Sequence, residues 1–281
     1  MSTARILLLG AIAGSTILIG LPMGRIGRIS MRTKAFLNAT ATGILIFLLW
    51  DILSHAAEPV ETAVRAASLH HGSWVHVTIL GTTVVGFLAV GLMSLVYYDH
   101  FAIKRSSKTS MGPGAASVAE FQARLVDPAA NARRLAVSIA VGIGLHNFSE
   151  GLAIGQSAAK GEITLALLLI IGFGAHNATE GFGIVAPLAG HHERPAWGFL
   201  LMCGLIGGAP TFFGTLVGRS FVNDTVFLAF LALAAGSILY VILELLHIGR
   251  NIGYRELAAW GLLLGIALGF ATDFILVAAG S

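Results

Sequence analysis

The sequence predicts an all-α, polytopic membrane protein, on three observations. The chain of 281 residues is 56% hydrophobic and only 11% charged, whereas a water-soluble domain carries about 25% charged residues. Apolar runs long enough to cross a ~30 Å hydrocarbon core as helices recur along the whole length. The 35 glycines suit membrane helices, where small residues let backbones approach closely. The net charge of +3 comes with no basic stripe, so nucleic acid is not an expected partner; the lipid bilayer is. The single cysteine, Cys203, excludes an internal disulfide and a cysteine-built metal cluster.

Eight spans are expected in a single transmembrane domain covering 1–281. Span 1 (5–23) opens on the apolar run at about Ile6. It lacks a small-x-small cleavage site followed by polar sequence, so it reads as a span rather than a signal peptide. Span 2 (36–57) carries Asp51 in its outer half. Span 3 (74–100) begins at Trp74. A long connection (101–133) follows, containing Met111-Gly112-Pro113-Gly114, and reads as a flexible loop with some helix around 116–125. Spans 4 (134–157) and 5 (163–189) are separated only by Ala158 to Glu162, so they form an antiparallel hairpin. Spans 6 (197–218), 7 (225–248) and 8 (256–279) complete the set. All four tryptophans, Trp50, Trp74, Trp197 and Trp260, fall near span ends, as an interfacial belt requires.

Orientation follows from lysine and arginine. With the N-terminus outside, thirteen of the 17 lysines and arginines fall on inner segments, and Arg5, Arg65, Lys160 and Arg219 remain outside. Both termini are therefore expected outside a cell (inner) membrane, with the 101–133 loop in the cytoplasm.

The chemistry concentrates in two short runs, His146-Asn147-Phe148-Ser149-Glu150-Gly151 and His176-Asn177-Ala178-Thr179-Glu180-Gly181. Both read H-N-x-x-E-G. In a helix, positions i, i+1 and i+4 lie roughly on one side, so each run presents an imidazole, an amide and a carboxylate together. The hairpin of spans 4 and 5 brings the two runs to one depth near mid-membrane. That nitrogen and oxygen set suits borderline divalent cations such as zinc, iron or manganese. An ionised acid at the bilayer centre costs about 2.5–3.5 kcal/mol on insertion scales. No lysine or arginine lies mid-span to offset Asp51, Glu150, Glu180, Glu244 or Asp273, so a cation from solution is the natural partner. A single histidine in a bundle is as readily a packing residue as a ligand; the duplication favours the ligand reading. Asn147 and Asn177 either ligate or hydrogen-bond across helices. Asp51 and Asp273, at similar depth, read as an attractor at the outer mouth. Glu244 and His247 read as an inner exit. His70, His71, His76, His191, His192 and Glu193 lie at span ends or in loops, where solvation is the simpler account.

Eight spans, both ends outside, the long inner loop after span 3 and the paired H-N-x-x-E-G runs resemble the ZIP (Zrt-, Irt-like protein) divalent metal transporters, particularly the GufA-like bacterial branch. The resemblance covers essentially the whole chain. It implies a 3+2+3 arrangement, with spans 4 and 5 forming the site between two inverted three-span repeats. It also implies zinc or another divalent metal (iron, manganese, cadmium) as transported substrate, moved toward the cytoplasm by an elevator-like or rocking motion, no resident cofactor, no enzymatic activity, and a homodimer. His146, Glu150, His176 and Glu180 match primary ligands. Asn147 and Asn177 match neighbours serving a second metal in binuclear members. Asp51 and Asp273 match entrance acids, and Glu244 falls where the family often carries a His-Glu or Glu-Glu pair in span 7. Three departures matter. Ser149 and Thr179 replace the family's kinking proline, Ala209 stands where many members have Glu before a proline, and Asn177 stands where some have Asp. A single metal is therefore expected. An intramembrane metal-dependent hydrolase, ceramidase-like, is the alternative from another class. A membrane metal sensor or a proton/cation antiporter using the same acids is a further one.

Overall fold

The computed structural model describes residues 2–26, 30–106, 128–159, 161, 163–188, 194–220 and 223–278; within these ranges some side chains, including those of Asp99, His176 and Thr179, lie outside the description. Among the described residues there are eight α-helices and no strand: α1 (Thr3–Ser15), α2 (Met31–Ser68), α3 (Trp74–Ser106), α4 (Pro128–Ala159), α5 (Ile163–Val185), α6 (Trp197–Ser220), α7 (Asp224–Ile252) and α8 (Arg255–Ala278). Seven helical segments among the described residues are long and apolar enough to cross a membrane, so the chain is a polytopic helical membrane protein. The part of the expected loop at 107–127, including the helix expected over 116–125, lies outside the described residues, as do His191, His192 and Glu193. Helix persists at both ends of that loop, to Ser106 and from Pro128.

Helix starts follow local chemistry. Ser30 caps α2, its hydroxyl accepting from the Thr33 amide, and Asn223 caps α7 by accepting from Val226; each satisfies an amide that has no partner inside the helix. The surface is apolar where lipid belongs: the four tryptophans are all exposed, with Val75, Val85 and Val90 on α3 and Leu263, Leu264 and Phe274 on α8. Of those seven segments, the one on α4 is the most enclosed, while those on α3 and α8 are the most peripheral.

Glycines set the closest seams. A Cβ on Gly151 would collide with the Thr211 carbonyl, and one on Gly214 with the Phe148 carbonyl, so α4 and α6 meet backbone to backbone. Pro210 lies inside α6 and has no N–H to offer the Ile206 carbonyl; that carbonyl is the one Gly144 of α4 packs against. Gly181 of α5 meets Ile17 in the same way, and Gly14 of α1 meets Gly208 of α6. A second set joins the remaining helices: Gly43 of α2 to Leu262, Gly265 of α8 to Thr40, Gly91 of α3 to Leu233 and Gly236 of α7 to Leu88. These contacts tie α1, α4, α5 and α6 together, and separately α2 to α8 and α3 to α7.

Candidate metal site

The two H-N-x-x-E-G runs lie on α4 and α5, which pack against each other. Among the described residues, His146, Glu150 and Glu180 are the only buried members of the histidine, acid, lysine and arginine classes, and they converge. His146 Nε2 is 3.1 Å from Glu150 Oε1 on the same helix and 3.8 Å from Glu180 Oε1 on α5. One imidazole thus stands between two carboxylates contributed by two helices.

The asparagines hold the runs in place. Asn147 Nδ2 donates to the Gly207 carbonyl of α6 at 2.9 Å, and Asn177 Nδ2 donates to the Ala13 carbonyl of α1 at 3.0 Å. The cross-helix role is therefore real for both. Since each amide nitrogen must face a carbonyl, the Oδ1 atom faces away from it. Neither Oδ1 has a hydrogen-bond partner among the described residues, nor do Glu150 Oε2 and Thr211 Oγ1. Buried polar atoms are rarely left this way in apolar surroundings. Glu150 Oε2 and the two amide oxygens are acceptors only, a deficit that a cation would answer.

Not every expected ligand is on view. The side chain of His176 lies outside the described residues. Among the described residues alone, no three or more His, Cys, Asp or Glu side chains form a ready-made cage. Ser149 is buried and its Oγ lies 3.4 Å from the Leu145 carbonyl. This is the back-bond by which serine bends a helix mildly, and α4 continues unbroken through it.

Away from the centre, Asp51 is half-buried on α2 and lies within electrostatic range of Asp273 on α8 and of His146. The structure adds a residue that sequence reasoning missed: His55 Nδ1 is 3.4 Å from Asp51 Oδ1. The i, i+4 spacing of Asp51 and His55 was the available signal. Glu244 is half-buried on α7; His247 is exposed, with Asn251 Nδ2 3.2 Å from its Nε2. His70, His71 and His76 are exposed, and Cys203 is a buried free thiol. No protein-family model and no curated protein matches this chain.

Proposed function

We propose that the protein carries divalent metal cations, zinc foremost, across a cell membrane toward the cytoplasm. The observation that carries the reading is the centre itself. The only buried ionisable His, Glu, Asp, Lys or Arg side chains among the described residues are one imidazole and two carboxylates, within 3.8 Å of that imidazole. Buried amide oxygens with no donor among the described residues lie on the same two helices. Two carboxylates match the charge of one dication. His146 with Glu150 and Glu180, and His176 from the same face of α5, supply the four ligands that zinc accepts. Ligation requires deprotonated groups, so binding releases protons and weakens in acid.

The arrangement proposed is eight spans with both termini outside, in which helices 1–3 and 6–8 are inverted repeats around α4 and α5. Reciprocal contacts support it: Asn147 reaches α6 as Asn177 reaches α1. The second glycine set adds a register. Asp51 follows Gly43 by the same interval at which Glu244 follows Gly236, Asp273 follows Gly265 and Asp99 follows Gly91. Each of these glycines is a helix-contact glycine. Asp51 with Asp273 forms the outer pair, and Glu244 stands on the inner side, with His247 beyond. A metal therefore enters past Asp51 and Asp273, loses water at the centre, and leaves past Glu244.

The test is flux. Purified protein in liposomes enclosing a zinc-sensitive dye should admit zinc, with manganese, iron and cadmium competing. His146→Ala and Glu180→Ala should admit none above empty vesicles. Dye signals equal to empty vesicles for the wild-type protein, with hydrolysis of an amide lipid in the same vesicles, would establish the hydrolase reading instead.

A further inference from the structure

A cavity of about 400 Å³ opens between α2, α7 and α8, far along the chain from the two H-N-x-x-E-G runs, and its walls include Thr42, Leu245, Leu246, Gly249 and Leu262. Arg250 and Arg255 stand at the α7–α8 turn and also line it. Arg255 belongs at the same time to a neighbouring, more polar cavity of about 480 Å³ with Arg32, Tyr254 and Glu256. The two cavities therefore share Arg255. The Arg32 guanidinium lies 5.9 Å from the centre of the Tyr254 ring. Among the described residues no carboxylate forms an ion pair with Arg250 or Arg255; Glu256 is the one acid lining either cavity. Three arginines against one glutamate leave an uncompensated positive rim over an apolar slot.

Two details argue for a built site. Asn38 lines the slot and is 4% exposed. Its Nδ2 donates to the Leu245 carbonyl at 3.0 Å, while its Oδ1 has no partner among the described residues. A hydroxyl-bearing ligand would satisfy that acceptor. The turn is also held in an uncommon backbone conformation: Gly253 has φ 86° and Tyr254 has φ 55°. A bulky residue in the left-handed region is strained, and here it sets Tyr254 and Arg255 side by side on the rim.

We propose that this seam binds one acidic phospholipid whose headgroup carries free hydroxyls. The phosphate rests on Arg250 and Arg255, a headgroup hydroxyl enters the slot and donates to Asn38 Oδ1, and the first part of an acyl chain lies along its apolar wall at Leu245, Leu246 and Leu262. Charge complementarity and the join of a cationic rim to an apolar slot select this occupant. A zwitterionic choline head would bring its cation against three arginines. Assigning the lipid to the cytoplasmic leaflet rests on the orientation proposed above; binding itself does not depend on metal transport.

Native mass spectrometry of the detergent-purified full chain reads the outcome, with phosphatidylglycerol, phosphatidylcholine or inorganic phosphate added in parallel. One phosphatidylglycerol should be retained per chain, about tenfold more readily than phosphatidylcholine, and phosphate alone should leave no adduct. Arg250→Ala with Arg255→Ala should remove that preference. Leu246→Trp, which fills the slot and leaves both arginines, should lower retention as well and decides the matter if the double variant does not fold. Equal retention of the two lipids, an unchanged preference in either variant, or a phosphate adduct without lipid would overturn the proposal. Zinc flux is not read here, so the lipid site and the metal reading fail or stand separately.

Discussion

His146 Nε2 has a carboxylate from its own helix and a carboxylate from α5 within 3.8 Å, so removing any one of the three costs a ligand, and removing either glutamate also costs a negative charge. Glu150→Gln or Glu180→Gln leaves shape nearly intact and removes one negative charge. Each should reduce zinc flux to a few per cent, on the order of the 10–100-fold losses typical of disturbed metal sites, with the protein still eluting as a folded species. Wild-type flux in both would remove the site from the mechanism. Asp51→Asn with Asp273→Asn should act differently. In the proposed role these acids concentrate cations before dehydration, so half-saturation should rise several-fold while the maximal rate holds, more so at low ionic strength. His55→Ala should shift half-saturation less, because its ring is largely exposed. A single ion per chain is expected by inductively coupled plasma mass spectrometry, since Ala209 and Asn177 add no negative charge for a second dication, and repulsion at low dielectric is large. Two ions bound stoichiometrically would show that Asn147 and Asn177 Oδ1 ligate a second site. The convergence of His146, Glu150 and Glu180 was legible in the sequence from the i, i+4 spacing together with the short 158–162 connection, which pairs the two helices; the His176 side chain lies outside the described residues. The cross-helix bonds of Asn147 and Asn177 were open in the sequence, because their partners are backbone carbonyls on α6 and α1, which carry no residue-type signal.

Between elements the same contrast holds. Apolar runs found the spans, but hydropathy sees only the lipid-crossing part. α2 continues to Ser68 through Glu58, Pro59, Glu61 and Arg65, well beyond the apolar stretch at 36–57. α1 shows the opposite. The run over 5–23 reads as one helix, yet the α-helix ends at Ser15 and two 3₁₀ turns, Thr16–Ile19 and Leu21–Arg25, follow. The cause is tertiary: the Thr16 hydroxyl donates to Gly174 of α5 at 2.6 Å, Asn177 bonds the Ala13 carbonyl, and Gly20 packs on the backbone at Phe182. The abundance of glycine was legible as close packing; which glycines matter was not. Gly151→Ala and Gly214→Ala place a methyl group on a facing carbonyl of the α4–α6 seam, whereas Gly81 and Gly86 on α3 have open space around a Cβ. The first pair should lower the melting temperature of the detergent-solubilised protein by several degrees, as an overpacking penalty of about 1–3 kcal/mol implies. The second should hold it or raise it slightly, since alanine gains about 1 kcal/mol over glycine inside a helix. Equal effects in the two pairs would mean that the seam yields freely.

Over the whole molecule, glycine-to-carbonyl contacts occur within α1, α4, α5 and α6, and within the α2–α8 and α3–α7 pairs. The faces between these groups are different. Where α4 crosses α7, a Cβ on Gly142 would make ordinary contacts at 3.5–3.6 Å with Ser237, and Phe148 stacks tilted on Phe230 with centroids 4.7 Å apart. Backbones locked together by missing side chains cannot slide without collision, while a face of ordinary side-chain contacts can shear. The expected motion therefore carries the helices that own His146, Glu150 and Glu180 past those that own Asp51, Glu244 and Asp273. On the proposed function, that division puts the proposed ion ligands on one body and the acids of the two proposed mouths on the other, as alternating exposure of one fixed site requires. The seam offers a direct trap. The Gly142-to-Ser237 Cβ separation of 3.5 Å lies at the short end of the range that a disulfide spans, about 3.5–4.5 Å. In a Cys203→Ala background, which removes the native thiol, Gly142→Cys with Ser237→Cys should cross-link under mild oxidation. Oxidised protein should bind zinc at the centre and yet pass it more than about tenfold slower, because closure and opening steps limit turnover; a reductant should restore the rate. Each single variant should be insensitive to oxidant. Cross-linked protein that carries zinc at the uncrosslinked rate would show that α4 and α7 move as one body, and the sliding face would then have to lie elsewhere in the bundle.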